Sequence, residues 1–99
     1  MPIRKFPIRT GSKTITDTAT QLTDVDETGL RGVQIHAGST NDDILYVGES
    51  ATVTADGGDA TSGYPIAAGE TLVLPTLRAD ELYLIAASTG TNKVWWVLI

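Results

Sequence analysis

Residues 63–75 read GYPIAAGETLVLP. A Gly-Tyr-Pro corner leads to an Ala-Ala-Gly turn, and Glu70 then opens a strand that ends at Pro75. Pro65 fixes its own φ, while Gly63 and Gly69 permit positive φ. In the strand itself, Leu72 and Leu74 point one way and Thr71 and Val73 the other, the period of two that marks a half-buried strand. A chain that commits so many residues to aiming one short strand is building an all-β fold.

The flanking sequence repeats this grammar. Gly, Pro, Asn-Asp and Ser-Thr-Gly punctuation recurs every eight to twelve residues, the spacing of sandwiches and barrels. In "KTITDTATQLT", threonine alternates with Ile15, Asp17, Ala19 and Gln21, which predicts one strand or two short ones over 13–23. "RGVQIHAG" places Val33, Ile35 and Ala37 on one face, with Gln34 and His36 on the other. "ILYVGE" is apolar on both faces, as a central strand is. A short strand is predicted around 51–55, before a Gly/Asp loop. "ELYLIAAS" and "NKVWWVLI" follow "ETLVLP", and "LRADEL" at 77–82 offers one helical turn. The total is seven or eight short strands with little or no helix, predicting a two-sheet antiparallel sandwich.

Ninety-nine residues make one domain. The expected division is an extended basic arm, 1–12, and a single β-sandwich domain, 13–99. Cysteine is absent, which removes disulfides and thiolate metal sites. No apolar run approaches the ~18–20 residues that cross a bilayer, and the basic N-terminus lacks the apolar stretch of a secretory signal. The expectation is therefore no membrane partner, and synthesis and use in the cytoplasm or in something assembled there. Net charge is −5, unevenly placed: residues 14–99 hold three bases against all twelve acids, a balance of −9. Such a body repels phosphates, so nucleic acid is not an expected partner. The arm carries Arg4, Lys5 and Arg9, with Phe6 as an apolar anchor, and suits an acidic surface or a neighbouring copy.

Enzymatic chemistry finds little support. His36 is the only histidine and stands out of phase with the apolar face of its strand; no Gly-x-Ser-x-Gly elbow occurs. "DVDETG" echoes the start of a calcium loop, but its twelfth position is Ile35 and no helices flank it, so turn chemistry explains it. Asp56 and Asp59 read likewise as turn residues. The neighbours Asp42-Asp43 and Asp80-Glu81 point apart, unlike paired glycosidase carboxylates. No enzyme, metal or cofactor is predicted. Trp95 and Trp96 are adjacent in one strand, so they face opposite ways: Val94, Trp96 and Leu98 toward the core, Trp95, Val97 and Ile99 away from it. Trp95 is thus a candidate partner-binding residue.

The run from Val33 to Leu84 resembles small β-sandwich virion structural proteins of tailed bacteriophages. In that family an N-T-x-x-V-Y-V-G strand is followed by a G-x-P-L-x-A-G-E turn, an L-P strand end and an L-Y-x-I-A strand. Here Tyr46, Val47 and Gly48 match the first; Gly63, Pro65, Ala68, Gly69 and Glu70 match the second, with Ile66 for leucine; Tyr83, Ile85 and Ala86 match the last. The resemblance covers about half the chain and is structural, so it carries over no catalytic residue. It implies a jelly-roll sandwich acting as a capsid decoration or cement protein or as another minor virion structural protein; the leading expectation is a decoration protein that binds the major capsid protein lattice and stabilises the head. It also implies a homotrimer, located on the capsid surface of a virion assembled in the host cytoplasm. The partner-binding residues are then Arg4, Lys5, Phe6, Arg9 and Trp95. The alternative is a carbohydrate-binding module of a head fibre or tail, for which a solvent-facing tryptophan beside polar side chains is the requirement.

Overall fold

The alternating apolar residues of successive strands meet in one interior. The computed structural model describes residues 9–24, 32–55, 62–75 and 78–99. Within them lie β1 (Thr10–Thr14), β2 (Thr20–Gln21), β3 (Val33–Ala37), β4 (Leu45–Gly48), β5 (Tyr64–Ile66), β6 (Thr71–Leu74), β7 (Tyr83–Ala86) and β8 (Lys93–Leu98). The described residues contain one further element, a 3₁₀ turn at Ala79–Glu81, inside the stretch predicted to form a helical turn. Sheet 1 has the order β1-β8-β3-β6 and sheet 2 the order β2-β7-β4-β5. Every pairing is antiparallel. First pairs with last, second with seventh, third with sixth and fourth with fifth, and these pairs fall alternately in the two sheets.

Inward residues of both sheets form one cluster. Val33, Ile35, Ala37, Val94 and Trp96 come from sheet 1; Leu45, Val47, Ile66, Leu84 and Ala86 come from sheet 2; Ile15, Leu22 and Leu82 close the ends. Each large side chain buried here contributes roughly 1.5–3 kcal/mol. Ile35 lies directly between Trp96 and Leu72 in the register of sheet 1, so a one-residue slip would turn the tryptophan outward. Trp96 is 5% exposed and Trp95 45%, the phase expected from sequence.

Gly69 adopts φ +83° in the turn between β5 and β6, where the Glu70 carboxylate accepts a 2.6 Å bond from the Ala67 N–H. Gly63 serves otherwise than expected: it is not among the described glycines with positive φ. A Cβ there would lie 2.7 Å from the Val47 nitrogen, so the residue permits close backbone approach to β4. Pro65 lies in β5, which pairs only with β4, a place where a missing N–H costs no ladder bond.

Of the one strand or two short ones expected over 13–23, two short ones form, β1 and β2, separated by the buried Ile15 and a polar bend. Two other expectations need adjustment. Thr10–Ser12, assigned to the arm, are instead paired with Val97–Trp95 as the first residues of β1. Around 51–55 only an isolated bridge from Thr54 to Ser62 forms, because Val53 turns inward as a plug and its neighbours find no ladder.

Candidate interaction surfaces

The two sheets leave two outer faces of different chemistry. On sheet 2, the residues out of phase with the core are Tyr46 in β4, Tyr83 and Ile85 in β7, Pro65 in β5 and Gln21 in β2. Pro65, Tyr46 and Ile85 form one cross-strand row, and Gly48, Tyr83 and Gln21 the next. Ile44, two residues before Tyr46, extends the same face and is 44% exposed; Ala87, two after Ile85, is exposed beside it. None of these side chains carries a charge. In water this apolar, tyrosine-bearing face has an unmet burial term, the mark of a surface that packs against something.

On sheet 1, the outer rows are Ser12–Trp95–His36–Thr71 and Thr10–Val97–Gln34–Val73. Trp95 lies near the middle with Lys93 Nζ 5.8 Å from its ring centroid, a cation–π distance. Gly38 makes room for the indole: a Cβ there would lie 3.1 Å from Trp95 Cζ3. His36 Nδ1 and the Thr71 hydroxyl are 2.8 Å apart, and the Thr10 hydroxyl donates to the Trp96 carbonyl at 2.7 Å. Beside the indole, Thr10, Gln34, His36 and Val97 line a shallow depression of about 210 Å³. Among the described residues these two rows are mostly polar and carry no carboxylate.

One end of the sandwich is held by a side-chain clasp. Asn41 Nδ2 donates to the Lys93 carbonyl at 2.9 Å, and the Lys93 N–H donates to Asn41 Oδ1 at 2.8 Å. Asn92 is buried at 1% exposure. Its Oδ1 accepts from the Asp43 N–H, and its Nδ2 donates to Asp43 Oδ2 and the Gly90 carbonyl. Ser88 adds a second donor to the Asp43 carboxylate, at 2.9 Å. These bonds to Asn92, Ser88 and the Gly90 backbone hold the Asp43 carboxyl below its usual pKa, outweighing partial desolvation. The Asp42 carboxylate likewise accepts from the Thr91 N–H at 2.7 Å. Both acids of the Asp-Asp pair are thus committed to joining the β3–β4 and β7–β8 connections. Asp80 and Glu81 are similarly engaged, each with the Arg78 guanidinium, at 3.1 and 3.3 Å.

Of the residues singled out by sequence, Trp95 is on the outer face of sheet 1. Arg9 precedes β1, its carbonyl accepting from the Leu98 N–H. Arg4, Lys5 and Phe6 lie outside the described residues, as do Asp26, Glu27, Asp56 and Asp59. Among the described residues no three metal-binding side chains converge, and no helix is long and apolar enough to cross a membrane. The apolar face of sheet 2 was not singled out by sequence, although its signal was present. Two-sided apolarity in "ILYVGE" predicts a central strand, and β4 is indeed central in sheet 2. Its outward side nevertheless has no covering layer among the described strands. No protein-family model, curated protein or solved structure matches the chain.

Proposed function

We propose that the chain is a non-enzymatic virion structural protein of a tailed bacteriophage, a capsid decoration protein of jelly-roll type. It binds the major capsid protein lattice through the outer face of sheet 2. The observation that carries this reading is that face: Ile44, Tyr46, Pro65, Tyr83, Ile85 and Ala87, contiguous and without a charge. Support for the jelly-roll type comes from the strand orders, 1-8-3-6 and 2-7-4-5, the arrangement of a long antiparallel hairpin rolled into two sheets. The clasp and the interlocked core suit a rigid plug whose apolar side is presented without reorganisation, so that little ordering entropy opposes docking. Many symmetric copies, as homotrimers at lattice junctions, would then reinforce a head by avidity. In this reading the basic arm, with Arg4, Lys5, Phe6 and Arg9, engages a neighbouring subunit.

Two measurements test the proposal. Mass spectrometry of purified virions should find the chain among the head proteins. Ile85→Lys, which puts a charge in the middle of the face but outside the core, should leave the fold intact. It should weaken binding to capsids lacking the protein by at least about 2 kcal/mol, as loss of a central contact does. Absence from virions, or unchanged binding by Ile85→Lys, would overturn the assignment of this face.

A further inference from the structure

We propose that the outer face of sheet 1 binds a neutral hexopyranose unit of a polysaccharide, stacked on Trp95. This inference does not rest on the virion reading, since it concerns the opposite face and stands or falls with its own measurement.

The indole is the apolar half of the site. Trp95 is 45% exposed although it lies in β8, a central strand of its sheet, and Gly38 leaves space for its six-membered ring. A buried tryptophan serves packing, as Trp96 does one residue on. A tryptophan 45% exposed offers the indole surface outside its Lys93 contact to a partner with a matching apolar plane, and the C–H face of a pyranose ring is such a plane.

The polar half surrounds it. Ser12 and His36 are the direct cross-strand neighbours of Trp95, so their Cβ atoms lie about 4.5–5.5 Å from its own. Gln34 and Thr10 follow in the next row. Among the described residues the Ser12 hydroxyl, the Gln34 amide and His36 Nε2 have no hydrogen-bond partner, whereas His36 Nδ1 is occupied by Thr71. Hydroxyl, amide and imidazole groups each donate and accept, which is what sugar hydroxyls need from a site. The depression of about 210 Å³ beside the indole is below the usual range for drug-sized ligands and suits a single ring.

Charge selects the ligand class. Among the described residues of this face Lys93 is the only fixed charge, and Lys93 is taken up by the indole itself. A protein partner would look for a larger apolar centre than Trp95 and Val97, from which Val73 is separated by Gln34. A phosphate-bearing partner would meet one lysine and an acidic body. A neutral sugar meets neither obstacle.

The test uses the full chain and its two tryptophans. Their indole N–H signals in a ¹H–¹⁵N spectrum are assigned with Trp95→Ala, which is at the surface and leaves the core untouched. Methyl α-D-mannopyranoside, methyl β-D-glucopyranoside and methyl β-D-galactopyranoside are titrated in turn, followed by mannan, dextran and galactan. At least one glycoside should move the Trp95 signal saturably, with a dissociation constant of about 1 mM, while the Trp96 signal stays in place. The matching polysaccharide should bind more tightly by avidity. Trp95→Ala should abolish retention on that polysaccharide, and Gln34→Ala should weaken it severalfold with an unchanged spectrum elsewhere. The proposal is overturned if no glycoside at tens of millimolar and no polysaccharide shifts the Trp95 signal. Retention that survives Trp95→Ala, or a Trp95 signal that responds only to added capsids, would overturn it equally.

Discussion

Trp95 and Trp96 differ by one position and by everything that position decides. Trp96 spans the core against Ile35 and lies on Gly11, where a Cβ would come within 2.8 Å of its Nε1. Trp96→Ala should therefore cost about 3–5 kcal/mol, and Trp95→Ala no more than about 0.5 kcal/mol, in denaturant unfolding. Reversed magnitudes would mean that the phase of β8 is inverted. Gly11 gives a second test of the same packing. Its φ is ordinary and its absent side chain is what matters, so Gly11→Ala should destabilise by about 1–3 kcal/mol through overpacking against the indole. Trp96→Phe, by vacating part of that space, should restore some of the loss in the double variant, measured as a coupling energy.

Among the elements, the clasp between the β3–β4 and β7–β8 connections holds a carboxyl whose titration is linked to folding. The Asp43 carboxyl is depressed in the folded protein, chiefly by the amide of Asn92 and then by Ser88. A depressed carboxyl contributes stability that is complete above its unfolded value of about 3.9 and is lost as pH falls through the lower folded value. The difference in melting temperature between the natural chain and Asp43→Asn should thus be largest near neutrality and shrink as the solution is acidified below pH about 4. A difference that grew in acid would contradict the assigned direction. Asn92→Ala removes the partner of the Asp43 N–H and of its carboxylate from a buried position, and should cost about 1–3 kcal/mol at neutral pH. That loss is expected to appear in thermal melts without any change in the environment of Trp95.

For the whole molecule, the decisive feature is that two outer faces of one small sandwich have unlike chemistry. Sheet 2 presents an uncharged, largely apolar surface and sheet 1 a polar surface with a single exposed indole. The basic N-terminal segment belongs to the same scale, because the proposed function gives it a partner in another molecule. Deleting residues 2–8, which carry Arg4, Lys5, Pro2 and Pro7, should leave the melting temperature nearly unchanged, as expected of a terminal segment that docks on another molecule. The truncated chain should bind capsids more weakly than the full chain and with a shallower dependence on salt, as screening over about 8–10 Å removes the contribution of Arg4 and Lys5. Equal affinity and equal salt dependence would show that the segment has no part in docking. Light scattering of both forms at high micromolar concentration tests the proposed homotrimer, and a monomer throughout would count against a self-standing assembly.

The local grammar of the chain determined its strands. Period-two alternation set the inward residues of β3, β6 and β8, and Gly69 with Pro65 set the turn and edge around β5, because side-chain direction and φ are properties of a few adjacent residues. Which strands became neighbours was decided only by tertiary pairing. Thr10–Ser12 joined the sheet because Val97–Trp95 lay opposite them, 83 or more residues away in sequence. The same holds for function. "ILYVGE" and "ELYLIAAS" carry apolar residues on both sides, and nothing local says whether the second side meets another layer or open solvent. The pairing of β4 with β5 and β7 gathers those second sides into one uncovered face. Likewise Ser12, Gln34, His36 and Trp95, scattered over most of the chain, become a site because antiparallel register places them in adjacent rows, and register is set by contacts that no single segment contains.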